Sequence, residues 1–354
     1  MKINIITLHN IINVGSVFQA WALNEFLNSK GYDCSVIDYV PRYLYHLGLK
    51  SEIGKLLNYK SHKTRSRKYN EFVNNNIRLT EKKYYTLEEL EKNPPKGDLF
   101  ISGGDQLWNE FYPCGNDEAY QLKFTSKPKI AFGTSLGKDS FTDEGMNKLI
   151  KNISKYKYIG IRESSGTSML RNEGITHCEN VCDPVFLLEA EKYNKFIGKP
   201  LCKEPYLLVY LVQASPLLDK AVEIISKELN LKVILCSGLQ TKTKCDIHLK
   251  NLGPEESLNY MKNATYILSG SFHATAFSII MHKPFLTLLP GQNTNARIED
   301  FLHFVELENR MISEVESLDN KIFNEIDWAT IDAKINSHAN KSKEFLINAI
   351  ESIK

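Results

Sequence analysis

The sequence predicts an α/β protein of two doubly wound halves, each a parallel sheet layered with helices. Three observations carry this. The first forty residues read as a single strand-helix-strand unit; short apolar runs ending in small or polar turns recur along the chain; and the pattern weakens over 190–204, then restarts. Parallel strands need a crossover, normally a helix, so alternating strand and helix signals imply sheets covered on both faces. At 354 residues the chain is also longer than one typical domain.

In chain order, residues 2–8 are an Ile-rich strand. Val17, Ala20, Trp21, Leu23 and Leu27 then recur at helical spacing, Gly31 is a natural helix stop, and 34–39 is a second strand. Runs 98–102, 129–133 and 158–161 are further strands. They lead into Gly103-Gly104, into Thr134-Ser135, and into Arg162-Glu163-Ser164-Ser165 with a helix ending near Gly174. Residues 190–204 read as a linker. Beyond it, strands 206–212, 231–236, 265–269 and 284–289 alternate with helices over 217–229, 255–263, from Phe272, and over 296–305. The expected organisation is a first domain at 1–189 with a basic helical excursion at 41–96, a second at 205–328, and a C-terminal helix in 329–354 packing back on the first.

Composition narrows the function. The net charge of +2 argues against a dedicated nucleic-acid binder, which carries a basic excess. The longest clearly apolar stretch, 206–212, falls far short of the roughly 20 residues that span a bilayer. No secretory signal is visible at the N-terminus, and seven scattered cysteines without a C-x-x-C pair fit reduced thiols in a cytoplasmic protein. No metal site is expected. The balance hides one segment: 41–96 holds thirteen Lys/Arg against six Asp/Glu, a net of +7 that leaves −5 elsewhere. Its densest part, 60–68, packs five basic residues into nine positions, either as a solvated face or as a contact for a diphosphate or an anionic membrane surface.

Ligands of doubly wound folds bind where the strands' carboxyl ends meet helix N-termini. Four such turns are rich in small and polar residues. Ser269-Gly270-Ser271-Phe272-His273 places a histidine in the first turn of an apolar helix, where free N–H groups favour a phosphate or carboxylate. Gly103-Gly104-Asp105, followed by Trp108 and Asn109, puts Asp105 at an expected helix start, as an N-cap or as a carboxylate facing a cleft. Arg162, directly after a strand, is placed either to fork onto an anion or to pair with Glu163 or Asp183. Asn13 and Gly15 form a loop before the first helix, which carries Gln19; neither G-x-G-x-x-G nor G-x-x-x-x-G-K-[ST] occurs, which weakens dinucleotide and P-loop readings.

Together these motifs resemble the polysaccharide pyruvyl transferase family over residues 5–310. NVGSVFQAWAL, FISGGDQLWN, KIAFGTSLG, IRESSG, VCDPVFLL, SGSFHATAFSIIMHKPF and NARIEDFLHF follow in the family's order. Two residues depart from it: Gly104 stands where Ser is commoner and Ala274 where Gly is usual. The resemblance implies a GT-B-like architecture of two Rossmann-like domains facing across a cleft. It also implies transfer of the enolpyruvyl unit of phosphoenolpyruvate onto a sugar, as a cyclic ketal, with phosphate released and no cofactor besides that co-substrate. By that similarity His273 is the candidate acid or base and Asp105 a candidate base for the acceptor hydroxyl. Arg162, Arg297, Gly270 and Ser271 would bind the donor; Asn13, Gly15, Gln19, Gly103, Gly104 and Asn109 would bind the acceptor, making the first domain the acceptor side. The acceptor expected is a hexose in a nucleotide- or lipid-diphosphate-linked saccharide, and a lipid-linked one would give the basic segment a place at the inner membrane leaflet. A nucleotide-sugar glycosyltransferase and a catalytically idle glycan-binding protein are the alternatives.

Overall fold

The computed structural model describes the chain except residues 45–58, 139, 211–214, 238–242, 290–295, 316–317, 319–321 and 354. The basic segment's 45–58, the end of the expected strand 206–212 and the start of NARIEDFLHF therefore lie outside the described residues. The chain forms two compact units, one of Met1–Tyr59, Tyr69–Leu188 and Asn336–Lys354, the other of Lys60–Lys68 and Glu189–Ile335.

The first unit holds a seven-stranded sheet: β1 (Lys2–Ile6), β2 (Asp33–Tyr39), β3 (Leu79–Tyr84), β4 (Leu99–Ser102), β5 (Lys129–Thr134), β6 (Tyr158–Ile161) and β7 (Cys178–Asn180). The spatial order is β3-β2-β1-β4-β5-β6-β7 and every pairing is parallel. The chain winds outward from β1 to β3, then returns to β4 and winds the other way. The order reverses between β1 and β4, where doubly wound sheets open a crevice. The helix Val14–Ser29 lies buried over most of its length. Phe18 packs edge-on against Trp21 and against Phe72, the latter at 4.9 Å. Gly31 closes this helix at φ +85°, a conformation that costs glycine little.

The second unit repeats the plan with six parallel strands: β8 (Tyr206–Tyr210), β9 (Lys232–Cys236), β10 (Ile247–Leu249), β11 (Tyr266–Ser269), β12 (Phe285–Leu288) and β13 (Met311–Ile312). Their order is β10-β9-β8-β11-β12-β13, so this sheet reverses between β8 and β11. Its core gathers Leu207, Val209, Leu218, Leu235, Leu268 and Leu286, all fully buried.

Two segments differ from expectation. Residues 79–84, inside the supposed helical excursion, form β3; among the described residues this edge strand pairs with β2 alone, and it carries Lys82 and Lys83, so no apolar run announces it. The supposed linker is ordered: Ala190–Tyr193 is a short helix, and Tyr193 is fully buried, edge-on to Phe277 at 5.3 Å. All seven cysteines are free thiols.

Candidate functional site

The first unit collects its candidate residues at the carboxyl ends of β1, β4, β5 and β6. Asn13 is exposed and caps the first helix by accepting from the Ser16 N–H at 3.3 Å. Ser16 donates its hydroxyl to Asp105 Oδ2, while Oδ1 accepts from the Gln106 N–H at 2.8 Å. No helix begins at Asp105, against expectation. The residue takes φ +75°, which helical continuation forbids, and its carbonyl accepts from Leu107 N and Ser135 N, so the chain turns there. Its carboxylate is buried at the switch point of the sheet.

Around it lies a buried ionic cluster. Ser135 donates its hydroxyl to Glu163 Oε1, to which Arg162 Nε also donates at 3.5 Å, while Arg162 Nη1 donates to Asp183 Oδ2. Both ion pairs left open for Arg162 therefore form. Burial pulls its guanidinium's pKa down, but Asp183, Glu163 and Asp105 outweigh it and hold the pKa above its ordinary value. Three carboxylates face one guanidinium, and Glu163 Oε2 is buried with no hydrogen-bond partner.

The remaining residues of this group shape the floor. Gln19 is fully buried and donates to Thr7 Oγ1 at 2.8 Å and to the Ser16 carbonyl at 2.9 Å. A Cβ on Gly104 would fall 2.6 Å from Gln19 Oε1 and 2.8 Å from Pro184 Cγ, and one on Gly103 would fall 3.0 Å from Ile5. Both glycines serve close packing; at Gly104 a serine would not fit without displacing its neighbours. Gly15 is buried. Asn109, also buried, donates to Gln106 Oε1 at 2.9 Å and accepts from Phe111 N at 3.1 Å, fixing the loop after Asp105.

The second unit holds the other group, at the end of β11, again at a switch point. Ser271 N donates to Ser269 Oγ at 3.0 Å, and Ser271 caps the helix Phe272–Ile280 by accepting from Ala274 N. A Cβ on Gly270 would meet the Leu288 carbonyl at 3.4 Å, ordinary contact, so the turn there is open. His273 is buried in the first turn, its ring edge-on to Phe272. Phe272 meets Phe301 at 5.5 Å, joining this helix to Ala296–Phe304, whose first turn carries half-buried Arg297. Ala274 buries its methyl in the core, so the departure from Gly is accommodated. The candidate residues thus fall into two groups, one per unit. Sequence reading named Glu163 and Asp183 as candidate partners of Arg162 but missed Ser16 and Ser135, whose partners stand 89 and 28 residues away and carry no local signal.

Two parallel, doubly wound units with polar turns at their switch points define an α/β fold of the GT-B class. A sequence profile described as polysaccharide pyruvyl transferase matches residues 13–291, most of the chain. The chain belongs to the polysaccharide pyruvyl transferase family. No curated protein matches it significantly. Among solved structures, UDP-N-acetylglucosamine 2-epimerase from Rickettsia bellii is similar with a TM-score of 0.60 at 14% identity, covering 99% of this chain and 96% of that one. UDP-GlcNAc 2-epimerase from Methanocaldococcus jannaschii gives 0.54 at 16%, covering 92% and 93%. The spinosyn forosaminyltransferase SpnP gives 0.51 at 10%, covering 100% and 99%. At such identities these likenesses concern the fold. Among the described residues no helix is long and apolar enough to cross a membrane.

Proposed function

We propose that this protein transfers the enolpyruvyl unit of phosphoenolpyruvate onto two hydroxyls of a hexose in a diphosphate-linked saccharide. The observation that carries the reading is His273, buried in the first turn of a helix at the switch point of the second sheet, in a chain of this family. Protonation of C3 makes C2 electrophilic; one sugar hydroxyl adds there and the second displaces phosphate. Of the two hydroxyl protons, one is accounted for by the new methyl group and one by the released hydrogen phosphate. No external oxidant or reductant is required by that balance.

In this reading His273 supplies or removes a proton, and the turn at Gly270 and Ser271 receives an anionic end of the donor with Arg297, while Arg162 is taken up by Asp183 and Glu163 within the first unit. Asp105 takes a hydroxyl proton from an acceptor held near Asn13. The reaction would proceed in the cytoplasm, and a lipid-linked acceptor would bring the exposed Lys60, Lys63 and Arg67 to the anionic inner leaflet.

The test is a product assay with phosphoenolpyruvate and a panel of nucleotide- and lipid-diphosphate-linked saccharides, read by phosphate release and by mass spectrometry of the ketal. His273→Ala is expected to lower turnover roughly a hundred- to ten-thousand-fold, the range for loss of a general acid or base, with thermal stability retained. Near-wild-type turnover would remove the histidine from the chemistry. The UDP-sugar enzymes and the sugar transferase among the structural neighbours favour one second reading, a nucleotide-sugar glycosyltransferase. It would release a nucleoside diphosphate in place of phosphate.

A further inference from the structure

We propose that the loop after Asp105 carries a stacking platform for the apolar face of a hexose, formed by Phe111 and Tyr112, with Lys138 placed for a phosphate on that sugar. This assignment rests on the acceptor of the proposed function and names how it is held. Phe111 is 50% exposed and Tyr112 43% exposed, consecutive aromatic residues left partly in water on a loop whose Trp108 is fully buried. Large exposed aromatics placed together are informative, because folding gains nothing from them there.

The platform is braced. Phe111 N donates to Asn109 Oδ1, and Trp108 N donates to the Ser135 carbonyl at 3.3 Å. The neighbouring Glu110 carboxylate accepts from the Thr142 hydroxyl at 2.7 Å, while Asn116 Nδ2 donates to the Glu110 carbonyl at 2.7 Å. Phe141 stands edge-on to Phe111 at 6.5 Å. A loop held this way, with the Phe111 ring set against Phe141, loses little freedom when a ligand stacks on it.

Charge selects the occupant. Lys138 Nζ lies 4.0 Å from the centre of the Phe111 ring, so a cation sits against the same aromatic surface. A hexose has one face lined by C–H groups and a rim of hydroxyls; that C–H face would take the ammonium's place on the ring as the flexible Lys138 side chain swings out to a phosphate on the anomeric carbon. The loop is continuous with the Asp105 carboxylate and rests on the Ser135 turn, the same two turns that form the first-unit cluster.

The experiment uses the full chain and saturation-transfer NMR with the 1-phosphates of galactose, glucose, mannose and N-acetylglucosamine, and with their neutral methyl glycosides. At least one 1-phosphate is expected to receive saturation at its C–H face. Phe111→Ala/Tyr112→Ala should weaken that binding about tenfold or more, Phe111→Trp should preserve it, and Lys138→Gln should weaken the phosphate but not the neutral glycoside. Binding of no probe by the wild type, or equal binding by the double variant, overturns the platform. Loss of both probe types, or of neither, in Lys138→Gln overturns the phosphate assignment. Phosphoenolpyruvate-dependent phosphate release, measured in parallel, separates the two readings. Turnover with an acceptor KM unmoved by the double variant sinks the platform alone, whereas ring-dependent sugar binding without such turnover sinks the proposed function alone.

Discussion

Asp105 adopts a left-handed backbone at φ +75°, a conformation that costs a non-glycine residue of order 1–3 kcal/mol and persists only where the surroundings impose it. Here Ser16, Gln106 and Ser135 impose it, and the result is a buried carboxylate held at a strand end. Asparagine tolerates this region nearly as well, so Asp105→Asn separates charge from shape. We expect it to melt within a few degrees of the wild type while losing at least tenfold in turnover. Alanine at 105 should lose both turnover and about 1–3 kcal/mol of stability in urea unfolding. Wild-type turnover in the asparagine variant would end the base assignment. One residue away, Gly104 departs from the family's commoner Ser for a visible reason, the crowding of Gln19 and Pro184 onto its Cα. Gly104→Ser is expected to cost about 1–3 kcal/mol of overpacking, measured as a lower urea midpoint, and Gln19→Ala should restore part of it. An unchanged midpoint would show that the Pro184 turn yields freely.

At the scale of elements, the helix Tyr59–Asn76 has two characters. Tyr69, Phe72 and Val73 are buried, whereas Lys60, Lys63 and Arg67, at spacings of three and four, share an exposed face. Lys68 is taken up by Glu256, reaching both carboxylate oxygens at 2.7 and 2.6 Å. Replacing the three exposed cations with Gln leaves that pair intact, and should lower co-sedimentation with phosphatidylglycerol vesicles several-fold. Wild-type association should itself fade in about 1 M salt, where the screening length is roughly 3 Å. Unchanged vesicle association in the variant would remove the membrane contact. Legibility also divides by element. The inner strands β1, β2, β4, β5, β6, β8, β9, β11 and β12 stand out in the sequence because burial on both faces demands a continuous apolar run. The four edge strands, β3, β7, β10 and β13, do not: β7 is Cys-Glu-Asn with two exposed residues, and β13 is two residues long. Turns at strand ends were legible as small-residue clusters, but which partners meet there was not. Asp105 reads as a helix start because its positive φ has no sequence signature apart from tolerance by Asp itself.

For the whole molecule, two cores with separate switch points, β1/β4 and β8/β11, each carry one group of candidate residues. The proposed function gives the anionic donor to the unit holding His273, Gly270 and Arg297 and the sugar to the unit holding Asp105 and Asn13. Binding to the folded state alone must raise stability, by about 2.7 kcal/mol at a ligand concentration a hundred times Kd. Saturating phosphoenolpyruvate should therefore raise the melting temperature, and hydrogen exchange should slow in peptides spanning 269–275, the turn that the proposed function gives to the donor. A hexose 1-phosphate should instead slow exchange across 103–112. UDP is the discriminating control: if it stabilises the protein and protects the second unit while phosphoenolpyruvate does neither, the nucleotide-sugar reading replaces the pyruvyl one. Protection of 269–275 by phosphoenolpyruvate that persists in His273→Ala, with turnover lost, would divide the labour as proposed: backbone N–H groups bind the donor and the imidazole moves the proton.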